Sequence, residues 1–358
     1  IEQAPMRINP FLIIRHAVAR RPVNSSTEIR ITRLCSQRCR QCRVYERETD
    51  PANMSLERFR AIAADLKNYG AYLGFISGGE ALLNPDLLPI LAEAKKTFRV
   101  ATTLVTGLYH QRDRVDEAAA YCLANDINIQ TSLDGLGETG DYLRGVQQYS
   151  RTVLDHMALI SEMKAKSKSK SLLYANIVLN QKNLDQVPQL ILSARSLKWR
   201  ATIGLYHHLT ETTRSDDELR IVPDERLEAL LAYLDGHPDI LNLNSFIRGI
   251  GPFLRTGATT PCPFVASRLW MTRVTIMETG EVHLCWGEPL GNLTEQSLQD
   301  VFNSANYHQR LQQYAACSGC WTTCYTQRYL LLHPRSFTEL SNNLVKMTRL
   351  RRYQREQR

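Results

Sequence analysis

Apolar positions along the first two thirds of the chain follow two alternating rhythms. Short runs rich in β-branched and aromatic residues include TEIRITRL from Thr27, AYLGFISGG from Ala71, VATTLVTG from Val100, INIQTSLDG from Ile127, SLLYANIVLN from Ser171 and RATIGLYHH from Arg200. Each reads as a strand. Between them lie stretches with apolar residues three and four apart, the clearest being SLERFRAIAADLKNYG. There Ser55 suits the N-cap and Gly70 the stop. PDLLPILAEAKKTF, DRVDEAAAYCLAND, RTVLDHMALISEMKAK and LDQVPQLILSARSL have the same helical period. Strands separated by helices imply a parallel sheet, because parallel neighbours need a crossover connection. Six units are too few for the eight that close a complete barrel. The predicted fold class is therefore α/β, a partial (β/α)6 barrel over residues 27–210.

The flanks have a different character. Residues 1–26 read as an N-terminal amphipathic arm with a helix from Pro10 to Arg20, and 211–260 as a bridging segment that turns helical at DERLEALLAYLDG. Residues 261–330 form a small cysteine-bearing module, in which RVTIMETGEVHLCWG is a β-hairpin turning at ETGE and SLQDVFNSANYHQRLQQYA is helical. Residues 331–358 are a basic tail.

Composition narrows the class. With 358 residues, 43% of them hydrophobic, the chain has room for a large core. No apolar run reaches the roughly 18 residues of a membrane span. NPFLIIRHAVARRP is broken by Arg15 and His16 and lacks a small-residue cleavage site, so it does not read as a signal peptide. The formal net charge of +8 is concentrated partly in KAKSKSK at 164–170 and in the tail. Such runs are solvated faces or attract an anionic partner, which keeps peripheral membrane contact through the tail and the arm open. No RNA-binding signature accompanies them, and no nucleic-acid partner is expected.

Nine cysteines are too sparse for a disulfide scaffold and sit mostly in clusters, at 35, 39 and 42 and at 317, 320 and 324, with 122, 262 and 285 apart. This usage fits metal sites in a reducing cytoplasm. Cys122 lies in a helical pattern and reads as core. Soft thiolates select iron–sulfur clusters, zinc or copper(I). A closed zinc site takes four ligands, whereas ITRLCSQRCRQCRVY offers three thiols and no acidic residue among four arginines. Three thiolates on a four-iron cluster leave one iron open, as a catalytic centre requires. Arg38, Arg40 and Arg43 add positive charge that favours thiolate. A non-catalytic zinc or iron–sulfur binding protein is the competing reading.

Cys35-x3-Cys39-x2-Cys42 behind the first strand resembles the signature of the radical S-adenosylmethionine (radical SAM) enzymes. FISGGEALLNPDL resembles that family's GGE motif at Gly78, Gly79 and Glu80, and TSLDG followed by DYLRG resembles its ribose-bordering strand. The end module, with Cys262, GEVHLC, GNL and C-x2-C-x3-C, resembles the SPASM/twitch extension. The resemblance implies a [4Fe-4S] cluster on Cys35, Cys39 and Cys42 that binds S-adenosylmethionine and generates a 5′-deoxyadenosyl radical. It implies contacts to that cofactor from Gly78, Gly79, Glu80, Ser132 and Asp134. The family often has an aromatic residue before the third cysteine; here Gln41 stands there, and Tyr45 is the alternative aromatic. One auxiliary [4Fe-4S] cluster is expected on Cys262, Cys285 and two of Cys317, Cys320 and Cys324, with Cys317 and Cys320 preferred by the resemblance. Asn176, Tyr206 and His207, at strand ends, are candidate substrate residues. The implied function is hydrogen abstraction from an unactivated carbon of a peptide or small natural-product intermediate. A lipid or membrane-surface substrate is the alternative, and a flavodoxin- or ferredoxin-type protein is the expected one-electron reductant.

Overall fold

A computed structural model describes residues 24–46, 50–206, 213–257, 260–266 and 272–332, with 339, 341 and 345. The arm helix, His207, His208 and nearly all of the basic tail lie outside the described residues. In chain order β1 (Asn24–Arg30) precedes the cysteine loop, and α1 (Leu56–Tyr69), β2 (Leu73–Ser77), α2 (Leu87–Thr97), β3 (Ala101–Val105) and α3 (Arg112–Ala124) follow it. Next come β4 (Asn128–Ser132), α4 (Gly137–Arg144), α5 (Tyr149–Ala165), β5 (Leu173–Leu179), α6 (Val187–Ser196) and β6 (Arg200–Leu205). Then come α7 (Glu225–Leu234), α8 (Asn244–Thr256), α9 (Pro263–Ala266), β7 (Thr272–Ile276), β8 (Glu281–His283) and β9 (Gly291–Asn292). Finally α10 (Leu298–Asn303), α11 (Ala305–Ala315) and α12 (Thr326–Leu332) close the described chain. All six expected strands form, in the β/α alternation of a partial barrel.

The described residues fall into two compact units, one holding those up to Cys35 with Val44–Val105 and Cys262–Cys317, the other Ser36–Arg43, Thr106–Pro261 and those from Ser318 on. In the first, the strand order is β3-β2-β1-β7-β8-β9. β1 lies parallel to both β2 and β7, and β8 and β9 continue antiparallel as the predicted hairpin and its extension. Ile29 therefore lies between Ile76 and Ile276, and this row is wholly buried. α1 begins where Ser55 Oγ accepts the Arg58 N–H and ends at Gly70, whose φ of 100° only glycine adopts cheaply. α10 docks on α1 through the Leu298 N–H to Asp65 (2.7 Å) and the Tyr69–Phe302 ring pair.

The opposite face of β1 carries charge. Glu28 accepts from Ser77 Oγ (2.7 Å) on β2 and from Arg273 Nη2 (2.5 Å) on β7, while Arg30 lies 3.5 Å away. One carboxylate thus ties three strands. Burial alone would raise its pKa, but Arg30, Arg273 and Ser77 outweigh burial and hold it at about 2 against an ordinary 4.5.

Beyond β1 the chain runs on toward the cysteines, and the turn after β2 packs on it. The N–H groups of Gly79 and Glu80 donate to the carbonyls of Thr32 and Leu34, both at 2.7 Å. A Cβ on Gly78 would stand 2.5 Å from the Thr32 carbonyl oxygen, and one on Gly79 would overlap the Leu34 carbonyl. The glycine pair is needed here because two main chains touch. Buried Asn84 braces the same segment by donating to the carbonyls of Ile31 (2.6 Å) and Met54 (3.0 Å).

In the second unit β4, β5 and β6 are parallel, with Ser132 beside Asn176 and Asn176 beside Thr202. β5 alternates in burial: Leu173, Ala175, Ile177 and Leu179 are inside, while Tyr174, Asn176 and Val178 are half-buried on the other face. Among the helices not foreseen are α4 and α8. α4 carries two glycines, and α8 carries two glycines and Pro252, so propensity argues against both. Tertiary packing overrides it in α8: Gly249 makes room for the Trp321 indole, which stacks between Phe246 and Phe253 and donates to the Phe246 carbonyl at 2.8 Å. The single predicted helix over 297–315 is instead two, broken at Ser304, whose hydroxyl caps the second.

Two outcomes follow. Glu28 has a folded pKa below its unfolded value, so its contribution is complete above about pH 4.5 and disappears as the pH falls from there toward about 2. Glu28→Gln is expected to lower stability at pH 7 by on the order of 3 kcal/mol and to flatten acid unfolding in that window, as measured by denaturant titration at several pH values. Gly79→Ala is expected to cost about 1–3 kcal/mol through the displaced Leu34 carbonyl, read from the denaturant midpoint.

Candidate functional site

In the first unit the segment Thr32–Leu34 delivers Cys35, half-buried, beside the Gly78–Glu80 turn. Glu80 is 1% exposed, and its Oε1 accepts the Leu82 N–H (3.1 Å) to cap the 3₁₀ turn Ala81–Leu83. Tyr45 sits half-buried in another 3₁₀ turn, Val44–Glu46.

In the second unit Cys39 and Cys42 lie on one turn, closed by the Cys42 N–H to the Cys39 carbonyl at 3.0 Å. Cys39 is buried and Cys42 half-buried. Burial pushes the Cys39 thiol pKa up, and Arg144 works against burial. Arg144 Nη1 donates to Cys39 Sγ at 3.5 Å, and its Nη2 to Asp134 Oδ2 at 2.5 Å. The Gln37 carboxamide oxygen lies 3.4 Å from the same sulfur. Reversal of that amide would present N–H to a thiolate.

Asp134, named from sequence as a cofactor contact, is fully buried and uses both oxygens on protein donors. Oδ1 takes the Val178 N–H at 2.7 Å, and Oδ2 takes Arg144 together with Gln41 Nε2 at 3.2 Å. Gln41 therefore joins the cysteine turn to β4's end in the position where the family's aromatic residue often stands. Neighbouring Ser132 is half-buried, and its carbonyl accepts the Tyr149 hydroxyl at 2.6 Å. Arg40 is paired with Asp216 at 2.8 Å and lies over the Tyr142 ring, while Arg38 and Arg43 are exposed. The guanidinium at the Cys39 sulfur belongs to Arg144, which the sequence marked only as part of DYLRG. The signal was an arginine followed by a helix-stopping glycine, which is too common to single out.

Of the candidate substrate residues, Asn176 accepts from the Thr202 hydroxyl (3.0 Å) on the half-buried face of β5. Tyr206 is buried with Leu143 and Leu219, and its hydroxyl donates to the Arg214 carbonyl (2.6 Å) and accepts the Asp216 N–H (2.8 Å). It holds the segment after β6, whose Arg214 N–H reaches the Gln41 carbonyl at 3.0 Å.

The C-terminal thiols divide between the units. In the first, Cys262 opens α9, and burial raises its thiol pKa. The Cys285 N–H and that of Trp286 donate to the Tyr314 hydroxyl, at 3.1 and 3.2 Å, and burial lifts Tyr314 to about 12. In the second, Cys320 and Cys324 flank the Trp321 anchor, and Thr326 Oγ1 bonds the Cys320 carbonyl at 3.1 Å. Cys122 is wholly buried, and burial raises its thiol pKa, as befits a core residue.

All nine cysteines are free thiols. Among the described residues no three His, Cys, Asp or Glu side chains converge on one metal ion. A cubane is ligated one thiolate per iron, so its ligands need not converge. The chemistry of the donors fits such a cluster: soft thiols, of which Cys39 is buried against a guanidinium and an amide.

A model of the radical SAM superfamily matches residues 29–191, and one of the iron–sulfur cluster-binding domain called SPASM matches 262–324. Pre-heme d1 synthase of Dinoroseobacter shibae is 28% identical over 32% of this chain and 28% of its own length. The chain thus spans less than a third of that relative. PqqA peptide cyclase of Xanthomonas euvesicatoria pv. vesicatoria is 24% identical over 87% of this chain and 85% of its own. SuiB of Streptococcus suis, solved with precursor peptide SuiA, shares the fold with a TM-score of 0.57 at 19% identity, over 87% of this chain and 73% of its own. With both domains matched in the order that the cysteine clusters foretold, the chain belongs to the radical SAM superfamily of enzymes and carries a SPASM iron–sulfur cluster-binding domain.

Proposed function

We propose that this protein modifies a peptide by abstracting hydrogen from an unactivated carbon, using S-adenosylmethionine at a [4Fe-4S] cluster held by Cys35, Cys39 and Cys42. When bound, that cluster supplies the electron that cleaves S-adenosylmethionine to methionine and a 5′-deoxyadenosyl radical. The single observation that carries the reading is the cysteine turn itself, with Cys39 buried against Arg144 and Asp134. Donors aimed at the sulfur favour the ligating thiolate. The main-chain N–H groups of Gly79 and Glu80 hold the Thr32–Leu34 segment that leads to Cys35, and the half-buried Gly78 and Gly79 would face the cofactor, with Glu80 buried behind them. Ser132 and Asn176 share the half-buried face of β4 and β5, where cofactor and substrate groups would meet side chains. A peptide is favoured as substrate because the peptide-cyclase relative matches over 87% of the chain, against 32% for the heme-precursor relative.

One auxiliary [4Fe-4S] cluster would use Cys262, Cys285 and two of Cys317, Cys320 and Cys324. The Tyr314 hydroxyl fixes the main chain at Cys285 for this purpose. A flavodoxin- or ferredoxin-type protein would supply the electron.

The test is iron content together with product. The anaerobically reconstituted protein is expected to hold about eight irons per chain, and about four once Cys35, Cys39 and Cys42 are replaced by Ala. The reduced wild type should release 5′-deoxyadenosine from S-adenosylmethionine, and the triple variant should release none. A fully loaded, reduced wild type that releases none sinks the enzyme reading, and about twelve irons would refute the single auxiliary cluster.

A further inference from the structure

The guanidinium beside the cysteine turn is buried. Arg144 ends α4 and is 7% exposed. Its two terminal nitrogens divide their work, Nη1 to Cys39 Sγ at 3.5 Å and Nη2 to Asp134 at 2.5 Å. The main chain repeats the attachment. The N–H groups of Arg38 and Arg40, on either side of Cys39, donate to the carbonyls of Arg144 and Leu143, each at 3.0 Å. Gly145 follows at φ 63°, and a Cβ there would overlap the Arg38 carbonyl. Asp134 is fixed in turn, by the Val178 N–H on its side chain (2.7 Å) and Asn183 Nδ2 on its carbonyl (2.8 Å). Cys39 and Arg144 are therefore held as one piece, from both main chain and side chain.

We propose that Arg144 is a positioning residue that sets the reduction potential of the cluster ligated by Cys39. This rests on the cluster assignment above. An added electron increases the negative charge on the sulfur ligands, so an N–H···S bond and a nearby cation stabilise the reduced state more than the oxidised one. A guanidinium keeps its proton at every physiological pH, so the effect is permanent. Asp134 offsets part of the charge, but it sits on the other nitrogen and leaves the N–H···S bond in place. Arg38 and Arg43 are exposed, where water and salt screen them, and Arg40 is paired with Asp216. The split fork is also why lysine is no substitute, since one ammonium on a flexible stem does not hold the sulfur and the carboxylate in a fixed plane.

The experiment is an EPR-monitored redox titration of the reconstituted full chain, following the signal that changes when S-adenosylmethionine is added. Arg144→Gln is expected to reduce the equilibrium constant for one-electron reduction at least tenfold, a downward shift of about 59 mV. Arg144→Lys, keeping the charge without the fork, should fall between it and the wild type. Equal potentials in wild type and R144Q overturn the inference while leaving the cluster assignment intact. A wild type without any signal that responds to S-adenosylmethionine overturns both. Should R144Q fail to load iron, the wild type with isotopically labelled arginine nitrogen decides by pulsed EPR. Coupling of an arginine nitrogen to the reduced cluster, lost in R144K, supports the inference, and no coupling in the wild type overturns it.

Discussion

β1 is hydrogen-bonded along both edges, to β2 and to β7, and most of the first unit depends on that double pairing. A strand paired on both sides cannot slip, because a shift by one residue would exchange the buried Ile29 face for the Glu28 face. The register is thus enforced by a hydrophobic row on one side and by a satisfied carboxylate on the other. The C-terminal hairpin gains its place in the same way, since β7 completes the second edge of β1 and brings Arg273 to Glu28. Thr32–Leu34 continues from this strand, so the path to Cys35 starts from an element paired along both edges. Flexible elements could not present a thiol with that constancy.

The second unit uses a different device. A buried ion pair is a poor source of stability, since desolvation cancels most of its attraction. Asp134 and Arg144 are retained in a site where both partners have further work: Asp134 also takes Gln41 and the Val178 N–H, and Arg144 also reaches Cys39. Removing either would leave the other buried and uncompensated. The pair is best understood as fixing geometry at the cysteine turn, with the main-chain bonds from Arg38 and Arg40 as its second support.

Much of this was legible in the chain. α1 announces itself by Ser55, its apolar spacing and Gly70, and all three work as read. The hairpin at ETGE forms as its alternation requires, with Gly280 at φ 94°. Cysteine spacing pointed to the radical SAM and SPASM domains in their correct order. α4 and α8 were missed because their glycines and Pro252 lower local propensity, and what stabilises α8 is Trp321, many residues away. Gly78 and Gly79 were expected only as cofactor contacts; the structure shows that they accommodate the Thr32–Leu34 main chain, a neighbour more than forty positions upstream.

Periodicity, capping and thiol spacing are local properties, and they determined the α/β alternation, the cluster loop and the family. Partner choice at long range was left to the tertiary structure. It decided that Arg144, rather than the arginines among the cysteines, meets the Cys39 sulfur, and that Gln41 and Asp134 belong to one hydrogen-bond network. It also decided that Tyr206 supports the segment after β6. The physical reason is that a side chain's pattern along the sequence records which way it faces. Which donor or acceptor it finds there depends on where the remaining strands and helices come to rest.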